Sequence, residues 1–203
     1  MLFSNIFAAT ALVGSAIAAN HVVVVSNKTA GLTFKPDSLE AAQGDTVTFK
    51  FWPKNHSVAQ STFAQPCQPM NNGFWSGYVP TTSTESLANW TFTYEVTNAS
   101  APVWFYCTQG RHCQGGMVGV INPPKTGERT LAAYKNASSL AANNVTPQSA
   151  AGFGGNLTEN STAASGSPTA SGSGAPQSTG AASHLAGSAV FAGAASFFAY
   201  LLI

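Results

Sequence analysis

Two short stretches of this chain alternate large apolar residues with polar ones. Val47, Phe49 and Phe51 stand against Thr46, Thr48 and Lys50, and Trp90, Phe92, Tyr94 and Val96 stand against Asn89, Thr91, Thr93 and Glu95. Successive side chains of an extended strand point to opposite faces, so a period of two writes one face for a core and the other for solvent. A helix would scatter the same residues around its whole surface. Further candidate strands are His21–Ser26, a short one near Leu32–Phe34, Pro102–Cys107 and Met117–Asn122, separated by turn residues such as Gly31, Pro36, Gly44, Pro53 and Gly73. Nothing between them has the pattern of a helical crossover. The sequence therefore predicts an all-β fold over residues 20–125, an antiparallel β-sandwich of about seven or eight strands.

The two ends read differently. Leu2 to Ala19 is an apolar run closing on Ala16, Ile17 and Ala18 in an A-x-A pattern, which predicts a secretory signal peptide over residues 1–19, although no Lys or Arg precedes the run. The remaining chain would then meet an oxidising compartment. Leu185 to Ile203 is apolar with no basic residue after it, and upstream lie a polar spacer, Pro176 to His184, and the small residues Ser173, Gly174 and Ala175. This is the layout of a glycolipid (GPI) anchor signal with attachment at Ser173 and a propeptide over residues 174–203; a plain C-terminal transmembrane helix is the alternative. Residues 126–142 predict one short helix. From residue 143 to 173 the chain is mostly Ser, Thr, Ala, Gly and Pro and predicts a disordered, glycosylated stalk. Sequons at Asn27, Asn89, Asn98, Asn136, Asn144, Asn156 and Asn160 predict N-glycans on an extracellular protein. The sequon at Asn55 is expected to stay unused, because a glycan would crowd its neighbour His56.

With a formal net charge of +1 and 7% charged residues, the chain offers no basic face to a nucleic acid. Its seven acidic residues leave little from which to build acid–base catalysis. The informative stretch is YCTQGRHCQGGM, Tyr106 to Met117, with two of the three cysteines. Cys107 ends a candidate strand on the face of Val103 and Phe105, toward the sandwich interior. Cys113 directly follows His112, so in extended chain the two point apart. If His112 and Cys107 face one site, Cys67 is left as the partner of Cys113, closing a long loop worth roughly 4 kcal/mol in the chain-entropy model. The alternative is a local Cys107–Cys113 bridge with Cys67 free or dimerising. Cys107, His112 and Met117 are spaced C-x4-H-x4-M across one turn, and His56 is a second candidate imidazole. Two imidazoles, a thiolate and a thioether select type 1 copper over hard cations. Zinc is the chemical alternative, though its structural sites seldom use Met.

YCTQGRHCQGGM resembles the ligand loop of the phytocyanins, the blue copper subgroup of the cupredoxin family in which a disulfide cysteine follows the second histidine. NHSVAQSTF followed by Cys67 resembles the first-ligand segment of their secreted, glycolipid-anchored fungal relatives. The resemblance covers roughly Asn20 to Pro124. It implies a cupredoxin-like Greek-key β-sandwich, one type 1 copper held by His56, Cys107, His112 and Met117, and a Cys67–Cys113 disulfide. It also implies a one-electron carrier, not an enzyme, that passes electrons through the exposed edge of His112, with Gly110, Gly115 and Gly116 leaving the approach open to an unknown redox partner. The anchored relatives imply a place on the outer leaflet of the plasma membrane or in the cell wall. Two departures matter: Ser57 stands where many plant members have Asn, so the hydrogen bond steadying the thiolate loop is expected to be either weaker or supplied differently, and Met117 in place of Gln implies a higher reduction potential. Three rival readings are weaker or remain open. Multicopper oxidases flank the cysteine with histidines, where Tyr106 and Thr108 stand here. Polysaccharide oxygenases need a histidine as first mature residue, which would require cleavage directly before His21. A copper-sequestering or structural wall protein without redox turnover is the remaining alternative.

Overall fold

The computed structural model describes residues 17–160. The body of the predicted signal peptide, Ser173 and the apolar run from Leu185 lie outside the described residues. The elements are β1 (Asn20–Val25), β2 (Phe34–Lys35), β3 (Ser38–Leu39), β4 (Thr46–Phe51), β5 (Lys54–His56), β6 (Ala59–Ser61), β7 (Val79–Thr81), β8 (Trp90–Glu95), β9 (Val103–Tyr106), β10 (Val118–Ile121), α1 (Leu131–Ser139) and β11 (Asn156–Glu159). They form a five-stranded sheet in the order β11-β8-β4-β1-β2, a four-stranded sheet in the order β3-β10-β9-β6, and a β5-β7 pair.

The alternation in β4 does what its period requires. Val47, Phe49 and Phe51 are fully buried in the core between the sheets, with Val23, Val25, Phe92 and Phe105. Thr48 is buried too, on the opposite face, because its hydroxyl donates to Asn20 Oδ1 at 2.8 Å and meets Thr93 Oγ1 at 3.1 Å. Phe105 packs edge-on against Phe34 and Phe49, with centroids 5.0 and 5.4 Å away. Its ring lies over Gly119, its cross-strand partner, where any Cβ would fall 2.3 Å from the ring.

The all-β sandwich is as the sequence predicts, but its pairing is mixed. β1 and β4 run parallel, His21 opposite Val47 and Val25 opposite Phe51, and β3 runs parallel to β10. Between β2 and β4 the chain changes sheets, placing β3 beside β10, so parallel neighbours arise without a helical crossover. Alternation encodes which face is buried and says nothing of strand direction. The strands β3, β5, β6, β7 and β11 are not among the candidates: the first four run only two or three residues, and β11 lies in the segment read as stalk.

The apolar run of β9 is buried on both faces. Val103 and Phe105 enter the core, while Trp104 and Tyr106 join Ala59, Trp75, Val120 and Tyr134 in an outer cluster. The helix, within the predicted 126–142, starts at Thr130, whose Oγ1 accepts from Ala133 N–H at 3.1 Å. It covers that face through Tyr134, whose ring sits 4.7 Å from Trp104 and whose hydroxyl pairs with Ser61 Oγ in a close hydrogen bond.

The largest departure from the sequence reading lies at residues 143–160, predicted as disordered stalk. They belong to the fold. Val145 N–H donates to Cys67 O at 2.9 Å, Phe153 and Trp75 exchange backbone hydrogen bonds at 2.7 and 2.8 Å, and β11 pairs antiparallel with β8. The segment is poor in large apolar side chains and is fixed mainly by backbone pairing to an open sheet edge, which composition does not reveal. Its small residues permit close approach. Gly154 has φ +70°, and a Cβ there would lie 2.6 Å from Gly73 O. The folded unit therefore runs past residue 125 to the end of β11.

Candidate metal centre

The candidate ligands sit where the ends of β5 and β9 meet the start of β10. Among the described residues, the ligand atoms of His56, Cys107 and His112 lie within 4.8 Å of one another. Cys107 Sγ is 3.5 Å from His112 Nδ1 and 3.9 Å from His56 Nδ1, and the two rings are 5.0 Å apart. Met117 is fully buried in the same core cluster as Cys107. Its main chain closes the loop, with Cys107 N–H donating to Met117 O at 3.1 Å and Met117 N–H to His112 O at 3.0 Å. His56 Nε2 lies 3.2 Å from Pro53 O, which can only accept. The ring proton is therefore on Nε2, and the Nδ1 lone pair faces the thiol.

Cys67 and Cys113 are bridged, with their Cα atoms 5.7 Å apart, and Cys107 is free and buried. The two cysteines of the loop part company across β9: Cys107 turns into the core, Cys113 into the outer cluster. Of the two pairings open to the sequence, the structure contains the long one.

Three polar side chains frame the thiol loop. Ser57 Oγ accepts from Thr108 N–H at 3.0 Å, meets Thr108 Oγ1 at 2.8 Å and lies 4.0 Å from Cys107 Sγ. The position after the first histidine thus steadies the loop through Thr108. Asn55 donates through Nδ2 to Gln109 Oε1 at 3.2 Å, joining the two sides of the site. Asn144, read from the sequence only as a sequon, donates to the carbonyls of Cys107 and Gly110, each at 3.0 Å. The other predicted glycan sites Asn89, Asn98, Asn136, Asn156 and Asn160 are exposed, and Asn27 is half-buried.

No family model matches the chain. The probable GPI-anchored cupredoxin-1 of Arthroderma benhamiae is 37% identical over 169 residues, spanning 83% of this chain and 81% of that protein. This chain belongs to the cupredoxin family. An extracellular serine-rich protein of the same fungus is 35% identical over 144 residues, covering 70% of this chain and 54% of its own length. Among solved structures, plastocyanin from Dryopteris crassirhizoma matches at 19% identity and TM-score 0.34, over 49% of this chain and 96% of its own. A purple cupredoxin from Nitrosopumilus maritimus matches at 17% and 0.38, over 50% and 96%.

The donor set of this cupredoxin fits one type 1 copper: two imidazole nitrogens and a thiol converge, with no carboxylate in the cluster. The electrostatics agree. Burial, and then the neighbouring His112, push His56 down to about 4 against the opposing Pro53 hydrogen bond. Burial lowers His112 as well. Both rings are thus held neutral, as ligation requires. Burial pushes the Cys107 thiol up, opposed by hydrogen bonds from the Gln109 and Ser57 amides and the Ser57 hydroxyl. Without a cation the thiol keeps its proton; a soft cation offsets the cost of burying the thiolate. His56 is 2% exposed and His112 half-buried, and both line a cleft of about 270 Å³ with Ala30, Lys54, Asn55 and Gln109, His112 being the more exposed of the two.

Proposed function

We propose that this cupredoxin is a cell-surface blue copper protein that carries one electron at a time, with copper held by His56, Cys107, His112 and Met117. The observation that carries this reading is the convergence of two neutral imidazoles on a free, buried thiol. Bound copper would supply a one-electron couple between its two oxidation states. The chain's own residues supply rigidity and selectivity. Pro53 O fixes the His56 ring through Nε2, Ser57 holds Thr108, and the Cys67–Cys113 disulfide pins the far side of the loop. Phe49, Phe105 and Met117 fill the interior behind the thiol and keep water from it. His112 lies at the surface cleft, which suits it to face a redox partner.

Secretion behind residues 1–19 and glycolipid attachment at Ser173 place the domain on the outer leaflet of the plasma membrane or in the cell wall. The A-x-A pattern and the anchor-like C-terminal layout support this, as does the name of the relative that shares most of the chain. Purified protein titrated with Cu(II) without reductant should develop an intense thiolate-to-copper charge-transfer band that ascorbate bleaches reversibly. Cys107→Ser should abolish the band. A colourless protein with its thiol still free would overturn the reading, and a coloured one that fails to cycle would favour sequestration.

A further inference from the structure

We propose that Asn144 is a positioning residue for the metal centre, clamping the ligand loop from the segment after α1, and that its sequon consequently carries no glycan in the folded protein. The proposal rests on the reading of His56, Cys107 and His112 as ligands. Asn144 Nδ2 lies 3.0 Å from Cys107 O, 3.0 Å from Gly110 O and 3.5 Å from Gln109 O. All three partners are carbonyl oxygens, so the amide group must present its NH2 to them, and both hydrogens are committed. The side-chain Oδ1 is buried with no hydrogen-bond partner. Turning the amide over would satisfy nothing, because it would set that oxygen against the three carbonyls.

The clamp has a fixed base. Val145 N–H donates to Cys67 O at 2.9 Å, one residue of the disulfide, and Tyr106 Oη donates to Val145 O at 2.6 Å. Thr146 Oγ1 meets Tyr78 Oη at 2.8 Å and lies 3.5 Å from Thr108 O. The carbonyls on both sides of the Cys107–Gly110 turn are thereby tied to a segment anchored at β9 and the disulfide, while Ser57 holds Thr108 from the His56 side. Movement of the Cys107–Gly110 backbone would have to break both sets of bonds.

Asn144, Val145 and Thr146 also spell an N-glycan acceptor. A glycan would replace one of the two Nδ2 hydrogens and place a sugar ring where a loop carbonyl now packs. Clamp and glycan are mutually exclusive.

The test uses full-length protein secreted from a glycosylating host, and Asn144→Asp, which keeps the side-chain shape but removes both donors. In wild type, peptide mass spectrometry of the copper-loaded fraction should find Asn144 unmodified; a glycan there with an undisturbed visible spectrum would overturn the proposal. Amide exchange in the copper-free proteins should be roughly tenfold or more faster at Cys107 and His112 in Asn144→Asp, as expected for the loss of two hydrogen bonds. With copper bound, the variant should shift in charge-transfer maximum and reduction potential. Unchanged exchange, or an unchanged spectrum and potential in a loaded variant, would refute the clamp. Should wild type take up no copper, the functional reading fails, while exchange and glycan occupancy still judge the clamp. Should Asn144→Asp not fold, occupancy in wild type judges it alone.

Discussion

The two faces of β9 are built on different terms. Toward the core, Phe105 meets Phe34, Phe49 and Gly119 in a dry aromatic packing that strands from both sheets complete. On the outer face, Trp104 and Tyr106 are covered by Tyr134 of α1, the Cys67–Cys113 bridge and the segment around Val145. The inner face is held by area and shape. The outer face adds a covalent link and hydrogen bonds, and it is the side from which the ligand loop is fastened. The difference separates what keeps the sandwich folded from what keeps the thiol loop in place.

The largest effect should come from the inner face. Phe105→Ala removes a fully buried ring and should cost about 3–5 kcal/mol, read as a fall in the denaturant midpoint and concurrent weakening of copper binding. A loss confined to copper binding would mean that the core tolerates the cavity and that the two faces are less distinct than described. Removing the disulfide as Cys67→Ala/Cys113→Ala should cost about 2–5 kcal/mol. Here the loop should loosen more than the sheets, with amide exchange rising first between Cys107 and Met117. Gly154→Ala should cost about 1–3 kcal/mol for its positive φ and the crowding of Gly73 O, and should expose residues 143–160 to proteolysis while β1 and β4 stay protected. Smaller still, Tyr134→Phe keeps the ring against Trp104 and deletes only the bond to Ser61, so a loss of about 1 kcal/mol is expected in a urea titration.

The last prediction concerns the five-stranded sheet, away from both faces of β9. The hydrogen bond from His21, followed by those from the Ala19 and Ala42 amides, holds Asp45 at about 2, below its ordinary 3.8. A carboxyl depressed on folding stabilises the protein above its unfolded value and loses that contribution as pH falls from about 4 toward 2. Denaturant midpoints of wild type should therefore fall more steeply across that window than those of Asp45→Asn. Parallel pH profiles would show that the carboxylate contributes nothing to the lacing of β1 to the turn before β4.

Much of the site was legible because its chemistry is concentrated in one short loop. Cys107, His112 and Met117 carry their spacing in the sequence, and the strand before Cys107 indicates which way the thiol faces. The roles of Ser57 and Asn55 were visible only in outline, as neighbours of His56. Asn144 was legible as a sequon but not as a donor to the thiol loop, since a donor to carbonyls 34 and 37 residues away leaves no local pattern.

By itself, then, the sequence determined the sheet class, the core-facing sides of β4 and β9, and the donor types, whereas in β8 only Phe92 follows the alternation fully and Trp90 stays exposed. These depend on periodicities and residue chemistry that act over a few positions. Strand direction was decided only in three dimensions, because alternation is the same read either way. So was the order in residues 143–160, where glycines and small polar residues serve a backbone docking onto β8 and Trp75 and would read identically in a loose tail. Tertiary structure also decided which asparagine donates to the Cys107 and Gly110 carbonyls, because an unpaired carbonyl becomes a demand for a donor only once the chain has folded around it.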